Sequence, residues 1–274
     1  MLIGFRHISN HRSKSLFRDL SLDDQCEEMG MHLDVPYVPT HESVVKGMLE
    51  LAGVDASDVL YDLGSGDGRI PVAAALEHGA RAIGVEIDSS RVALSQAYAE
   101  QMGVEHQVAF IQDSLFEVDF SPATVITMYL LHTVNLELRP RLLSELRPGT
   151  RIVSHAFDMG DWRADRKVSF KSDALYLWIV PARVHGRWEW QTEDGRHYRV
   201  DLQQRYQKLI GELWIDGEPA ELQTALLWGD LLELVLHDDE SFGPESIVLH
   251  CQDDRLVVVS EYLKGAVARR VTAD

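Results

Sequence analysis

A chain of 274 residues is long enough to bury a substantial core, as one large domain or two modest ones. Its 26 Lys and Arg against 44 Asp and Glu leave a formal charge of −18, which repels phosphate backbones and anionic membrane surfaces; nucleic acid is disfavoured as a substrate, and a cationic or neutral acceptor fits better. The only two cysteines, Cys26 and Cys251, stand far apart with no Cys or His at ligand spacing, so neither a disulfide framework nor a metal site is indicated.

Residues 1–34 mix Arg6, His7, His11, Arg12, Lys14 and Arg18 with few apolar side chains, so no secretory hydrophobic region is present, and no apolar run along the chain approaches the ~18 residues of a membrane span. A soluble, cytoplasmic protein is expected. His7 and His11 are four apart, a spacing that can serve a metal on a helix, but without a third ligand they read as solvated histidines on a helical arm or lid. Val35-Pro36-Tyr37-Val38-Pro39-Thr40 is extended, because a residue before proline is pushed out of the helical region. It hands over to a helix capped by Thr40, with Val44, Met48 and Leu51 on one face and Val45, Leu49 and Ala52 extending it.

The next stretch organises the chain. Val59-Leu60-Tyr61-Asp62-Leu63 is a buried strand that runs into Gly64-Ser65-Gly66-Asp67-Gly68-Arg69, a turn whose glycines let backbone approach a ligand closely. The dinucleotide fingerprint is G-x-G-x-x-G; here the glycines fall as G-x-G-x-G and Arg69 stands where that pattern wants glycine. This argues against NAD or FAD. Asp62 at the strand end suits a ligand carrying an ammonium and a sulfonium better than a pyrophosphate. A short helix over Ile70 to His78 leads to a second strand, Arg81 to Ile87, where Glu86 stands at the distance at which an acid accepts bonds from ribose hydroxyls. Asp88 caps a helix over Ser89 to Met102 that buries Val92, Leu94 and Tyr98 in part, and a third strand, Gln107 to Gln112, reaches Asp113-Ser114.

Acids at three successive strand ends behind a glycine turn are hard to explain as separate caps. The stretch Asp62 to Gly68 resembles motif I of the class I S-adenosylmethionine (SAM) methyltransferases. That resemblance implies an α/β, Rossmann-like, doubly wound and mostly parallel sheet, with SAM at the carboxyl ends of the strands and S-adenosylhomocysteine (SAH) as product. It implies a cofactor set of Asp62, Gly64, Ser65, Gly66, Glu86, Asp113 and Ser114, the acid after the third strand bonding the adenine amino group, and Tyr37 and Thr40 as walls beside the methionine end.

The fourth strand, Ala123 to Leu131, is followed by His132-Thr133-Val134-Asn135. The Asn/Asp-Pro-Pro-Tyr/Phe motif of many amino-directed methyltransferases is absent there, which disfavours adenine or glutamine methylation of that type. A helix bearing Leu142, Leu143 and Leu146 ends at Pro148-Gly149, and a fifth strand, Arg151 to Asp158, leads to Met159-Gly160-Asp161-Trp162. Together with the lead-in, the glycine turn and Asn135, the run from Ser154-His155 to Asp161-Trp162 resembles bacterial relatives of the ATP synthase c-subunit lysine methyltransferases, which share a Dot1-like core. The resemblance covers about residues 35–165 and implies methyl transfer to a lysine or other amine; His132 stands where that group is expected to carry proline. Methyl transfer from a sulfonium is an in-line displacement and needs a neutral amine. Tyr129 and His132 are the candidates for orienting the substrate or removing its proton. Asn135 reads equally as a helix N-cap, His155 as a core histidine and Trp162 as packing between domains.

Beyond residue 165 the pattern changes. Ala174 to Pro181 is a strand that completes the first sheet, without the customary helix before it. Hairpin signals then follow at Asp194-Gly195, Asp216-Gly217 and Asp253-Asp254. Trp188, Trp190, Trp214 and Trp228 could line a cation cage but read more simply as core, and Asp238-Asp239-Glu240 as an exposed loop. The expected divisions are 1–34, an arm or lid; 35–185, the SAM-binding domain; and 186–274, an antiparallel sandwich or small barrel that recognises substrate or forms a homodimer. The alternatives are a small-molecule O- or N-methyltransferase, a non-catalytic SAM-binding protein whose β domain holds a partner, and an aminopropyltransferase, for which no feature calls.

Overall fold

The computed structural model describes residues 38–170, 173–237, 244–252, 255–260 and 266–271. The expected arm over 1–34, Tyr37, and the acidic run Asp238-Asp239-Glu240 lie outside the described residues. The chain divides into two compact units, Met1–Val38 and Pro39–Asp274, and every described helix and strand belongs to the second.

Helix α1 (Glu42–Ala52) starts one residue later than the pattern suggested. Its N-cap is His41, whose Nδ1 accepts from the Ser43 amide at 3.2 Å. Thr40 is instead buried, its carbonyl taken by the Arg69 guanidinium at 2.7 Å. The buried face of α1 carries Val44, Val45, Met48, Leu49 and Ala52, the helical spacing of the apolar positions.

Then come β1 (Val59–Leu63), α2 (Arg69–His78), β2 (Arg81–Glu86), α3 (Ser89–Met102), β3 (Val108–Gln112), β4 (Val125–Met128), α4 (His132–Glu145), β5 (Arg151–His155), β6 (Arg166–Phe170) and β7 (Asp173–Ile179). They form one sheet in the order β3-β2-β1-β4-β5-β7-β6. The pairs β1–β2, β2–β3, β1–β4 and β4–β5 are parallel, whereas β7 runs antiparallel to both β5 and β6. Strand order reverses beside β1, where the chain crosses from β3 over to β4; that reversal opens a crevice at the strands' carboxyl ends. Covered by helices, β1, β4 and β5 are buried almost throughout.

Helix α3 differs from expectation on one point: Leu94 is 41% exposed, and the buried stripe is Arg91, Val92, Ser95 and Ala99. The cause is the glycine turn. Ser95 Oγ donates to the Gly66 carbonyl at 2.9 Å, so the helix approaches that turn through a small polar side chain and rolls Leu94 outward.

Eight further strands close on themselves: β8 (Gly186–Gln191), β9 (His197–Arg205), β10 (Lys208–Ile215), β11 (Glu218–Trp228), β12 (Leu231–His237), β13 (Pro244–Gln252), β14 (Arg255–Val258) and β15 (Val267–Val271). Each pairs antiparallel with its sequence neighbour, and β15 returns to β8 through Arg269 opposite Glu189. The β region is therefore a barrel and not a sandwich, and closure leaves no edge strand. The Asp216-Gly217 turn has positive φ at both residues, 51° and 89°, as a type I′ hairpin requires. Trp188, Trp190 and Tyr198 fill the interior, with the Trp190 and Tyr198 rings stacked at 5.0 Å. Trp214 and Trp228 do not join them: Trp214 lies under the Arg199 guanidinium at 4.0 Å, and Trp228 is 57% exposed. Each sits on the outward-facing phase of its strand.

Sheet and barrel meet through specific contacts. Trp162 is fully buried and donates from Nε1 to Gln207 Oε1 at 3.0 Å, while Gln204 donates to the Ala182 carbonyl at 2.8 Å. Among the described residues no helix is long and apolar enough to cross a membrane.

Candidate functional site

The turn after β1 is built to bring backbone close to something. Gly64, Gly66 and Gly68 have φ of 77°, 54° and 78°, the left-handed region open to glycine. The amides of Gly64 and Ser65 both donate to the Val85 carbonyl at 2.9 Å, which ties the turn to β2. A Cβ on Gly68 would stand 2.7 Å from the Phe110 ring and 2.9 Å from Ser95 Cβ. Within the turn the Ser65 hydroxyl is buried and makes no hydrogen bond, a polar atom that ordinarily finds a partner.

Arg69, legible in the sequence only as a departure from the dinucleotide pattern, has a structural task. Its Nε bonds Asp67 Oδ1 at 2.9 Å and its Nη1 bonds the Thr40 carbonyl at 2.7 Å. It fastens the lead-in before α1 onto the glycine turn.

Glu86, at the end of β2, is 6% exposed. One carboxylate oxygen accepts from the Gly66 amide at 2.9 Å and the other from the Asp88 amide at 3.0 Å. The acid read as a ligand group is thus also the brace of the turn, with lone pairs to spare on both oxygens. Asp113 and Ser114 follow β3: the Asp113 amide donates to the Glu86 carbonyl at 3.2 Å, Asp113 Oδ1 accepts from the Ser114 amide at 2.8 Å, and Ser114 Oγ from the Phe116 amide at 3.2 Å. Asp113 is exposed.

Asp62 is 2% exposed and accepts one bond, from Thr127 Oγ1 at 2.8 Å. Burial pushes its pKa up to about 7, the Thr127 bond opposes this, and the charges of Asp67 and Glu86 add to it. Its folded pKa lies above the ordinary value of 3.8, so the native protein holds a proton that the unfolded chain has released. The stability this contributes is present at low pH and is lost as pH rises through about 7. Without ligand, Asp62→Asn is therefore expected to raise the melting temperature at pH 8, and by less at pH 5. Calorimetric melts at the two pH values check this; an equal gain at both would show Asp62 ionised throughout.

A second group of side chains gathers at the ends of β4 and β5. The Tyr129 ring lies 4.0 Å from that of His155 and 6.5 Å from that of Phe157. His132 opens α4, and its Nδ1 is 3.2 Å from Asp158 Oδ1, both side chains about half exposed. His155 is buried, its Nε2 3.5 Å from Asp173 Oδ2, and burial lowers its pKa against the opposing pull of Asp173. Asn135 is not a helix cap. It sits inside α4, fully buried, and its Nδ2 donates to Ser154 Oγ at 3.3 Å and to the carbonyls of Phe157 and Asp158 at 3.2 and 3.4 Å. Those bonds hold the segment after β5 where Ala156, at φ 66°, has turned it. Asp158 therefore meets His132 because Asn135 pins its backbone, a link no local pattern shows.

The structure brings Asp62, Gly64, Ser65, Gly66, Glu86, Asp113 and Ser114 to one edge of the sheet, with Tyr129 and His132 beyond β4 on the same edge. Thr40 reaches it through Arg69, and Tyr37 lies outside the described residues. The family model of the ANTKMT methyltransferase domain matches residues 62–166. A protein-lysine N-methyltransferase from Saccharolobus islandicus is 44% identical over 151 residues, 53% of this chain and 94% of that protein. The ATP synthase c-subunit lysine N-methyltransferase of Xenopus laevis is 32% identical over 150 residues, 55% of this chain and 66% of that one. Among solved structures, an RNA methyltransferase from Salinibacter ruber in complex with SAH has 54% identity and a TM-score of 0.53, over 54% of this chain and 96% of its own.

Proposed function

We infer the acceptor and the residues that handle it from one premise: this chain belongs to the family of the ANTKMT methyltransferase domain and the protein-lysine N-methyltransferases, and it is a SAM-dependent methyltransferase. The acceptor is the ε-amine of a lysine in a protein. One observation carries this, the 44% identity that extends over 94% of the S. islandicus enzyme. An RNA acceptor has the name of the S. ruber protein in its favour, but a formal charge of −18 opposes a polyanion.

SAM supplies an electrophilic methyl group on a sulfonium; the chain must hold the ligand, aim it and free the amine of its proton. The 64–66 turn, its amides held by the Val85 carbonyl and Glu86, brings close backbone and the Ser65 hydroxyl, a buried polar atom still in want of a bond. Glu86 accepts from the ribose hydroxyls with the lone pairs that the Gly66 and Asp88 amides leave. Asp113 and Ser114 take the adenine end, Asp62 faces the ammonium, and Thr40 walls the methionine end.

A lysine amine with its ordinary pKa of ~10.4 is almost wholly protonated at neutral pH, so a proton must leave before the methyl can arrive. His132 accepts it. With Nδ1 turned to Asp158 at 3.2 Å, its other nitrogen is left to take a proton, and the carboxylate stabilises the imidazolium that forms. Tyr129, tilted against His155 and stacked with Phe157, offers an aromatic wall to the incoming cation. On this reading residues 35–185 perform the transfer and 186–274 add a barrel that meets the acceptor. Blocking the acceptor's lysines by reductive dimethylation is expected to abolish SAH release; undiminished release would send the search to another nucleophile.

A further inference from the structure

The barrel lies beyond residues 62–166, the part of the chain that the ANTKMT family model matches, and it meets that part beside the segment that carries Asp158. Where the two touch lies a groove of about 410 Å³, walled on one side by Asp161 and Arg163 and on the other by Arg205, Tyr206 and Lys208. Asp161 is spoken for: Arg205 Nη2 is 2.7 Å away, Tyr206 donates at 3.2 Å and Arg139 at 2.6 Å, which together hold its carboxyl at about 2. Arg163 and Lys208 are exposed, and neither makes an ion pair among the described residues. In a chain of net charge −18, three cations against one carboxylate in this groove is a local reversal of sign.

We propose that this groove binds an acidic stretch of the protein acceptor that flanks the target lysine. The proposal rests on the lysine reading above. Arg163 is five residues from Asp158, so their Cα atoms are at most ~18 Å apart, and an extended peptide with its lysine at His132 places acidic side chains there within roughly five positions. Single-stranded nucleic acid fits worse, because it needs an aromatic platform for its bases; the Tyr206 ring is stacked on Trp162 at 5.9 Å and covered by Arg139 at 5.8 Å.

Two lysine-centred peptides that differ only by Glu or Gln within five positions of the lysine test this, with wild type and the double variant Arg163→Gln, Lys208→Gln. Turnover, and binding by fluorescence anisotropy, are read at low and high salt. The Glu peptide is expected to exceed the Gln peptide in kcat/KM by about tenfold in wild type. That ratio should fall near one in the double variant and in high salt, with SAH affinity unmoved. Should neither peptide be methylated while the Glu peptide still binds through Arg163 and Lys208, the groove stands and the lysine reading falls. Equal treatment of the two peptides by wild type, a preference that survives the double substitution, or a single-stranded RNA that displaces the Glu peptide would overturn the proposal.

Discussion

Replacing Glu86 by alanine is expected to weaken SAH binding by about 1.5–3 kcal/mol, roughly 10- to 150-fold, as loss of a buried, charge-assisted contact does. The structure gives a reason to expect the upper part of that range. Glu86 holds the Gly66 amide at 2.9 Å and the Asp88 amide at 3.0 Å, so its removal takes away the proposed ligand group and slackens the turn proposed to present backbone to the same ligand. Arg91, whose Nη1 is 4.0 Å from Glu86 Oε1, keeps Asp88 at 3.7 Å, so the fold should survive with a lowered melting temperature. Glu86→Gln, which can keep the Gly66 bond but not both, should fall between. Calorimetric titration of the three proteins with SAH reads this directly; an alanine variant within twofold of wild type would remove Glu86 from the cofactor site.

His132→Ala should lower kcat by about 100-fold near neutral pH, the low end of what a positioned base contributes, while SAH affinity stays close to wild type. The two readouts separate the proposed roles, that of Glu86 in cofactor affinity and that of His132 in the rate with cofactor bound. Because the task proposed for His132 is to take a proton, the deficit should shrink as pH approaches the lysine's own ~10.4 and solvent does the same work. A variant whose deficit is independent of pH would make His132 a packing or orienting residue.

Much of this was legible in the sequence because the parts concerned are local. Strands such as Val59–Leu63 are buried on both faces and so read as short apolar runs, and the acids read as ligand groups fall at strand ends after a fixed crossover. Asp194-Gly195 and Asp216-Gly217 announce hairpins by the φ values they allow. What escaped depends on contacts between distant residues. Strand β6, Arg166 to Phe170, is an edge strand that is mostly exposed, so its polar side chains hid it. Arg69 and Asn135 do their work through the Thr40, Phe157 and Asp158 carbonyls, partners with no signature of their own. Barrel closure rests on β15 finding β8, with Arg270 opposite Trp188, a pairing across some eighty residues of chain that no turn dictates.

The proposed reaction moves methyl from SAM to a lysine nitrogen. Its most direct test presents wild-type protein with deuteromethyl-labelled SAM and, in one vessel, a library of lysine-containing peptides and total RNA, and then locates the label by tandem mass spectrometry. Label is expected on peptide lysine ε-nitrogens, with RNA unlabelled. Label in the RNA alone, or SAH formed without labelled lysine, would contradict it.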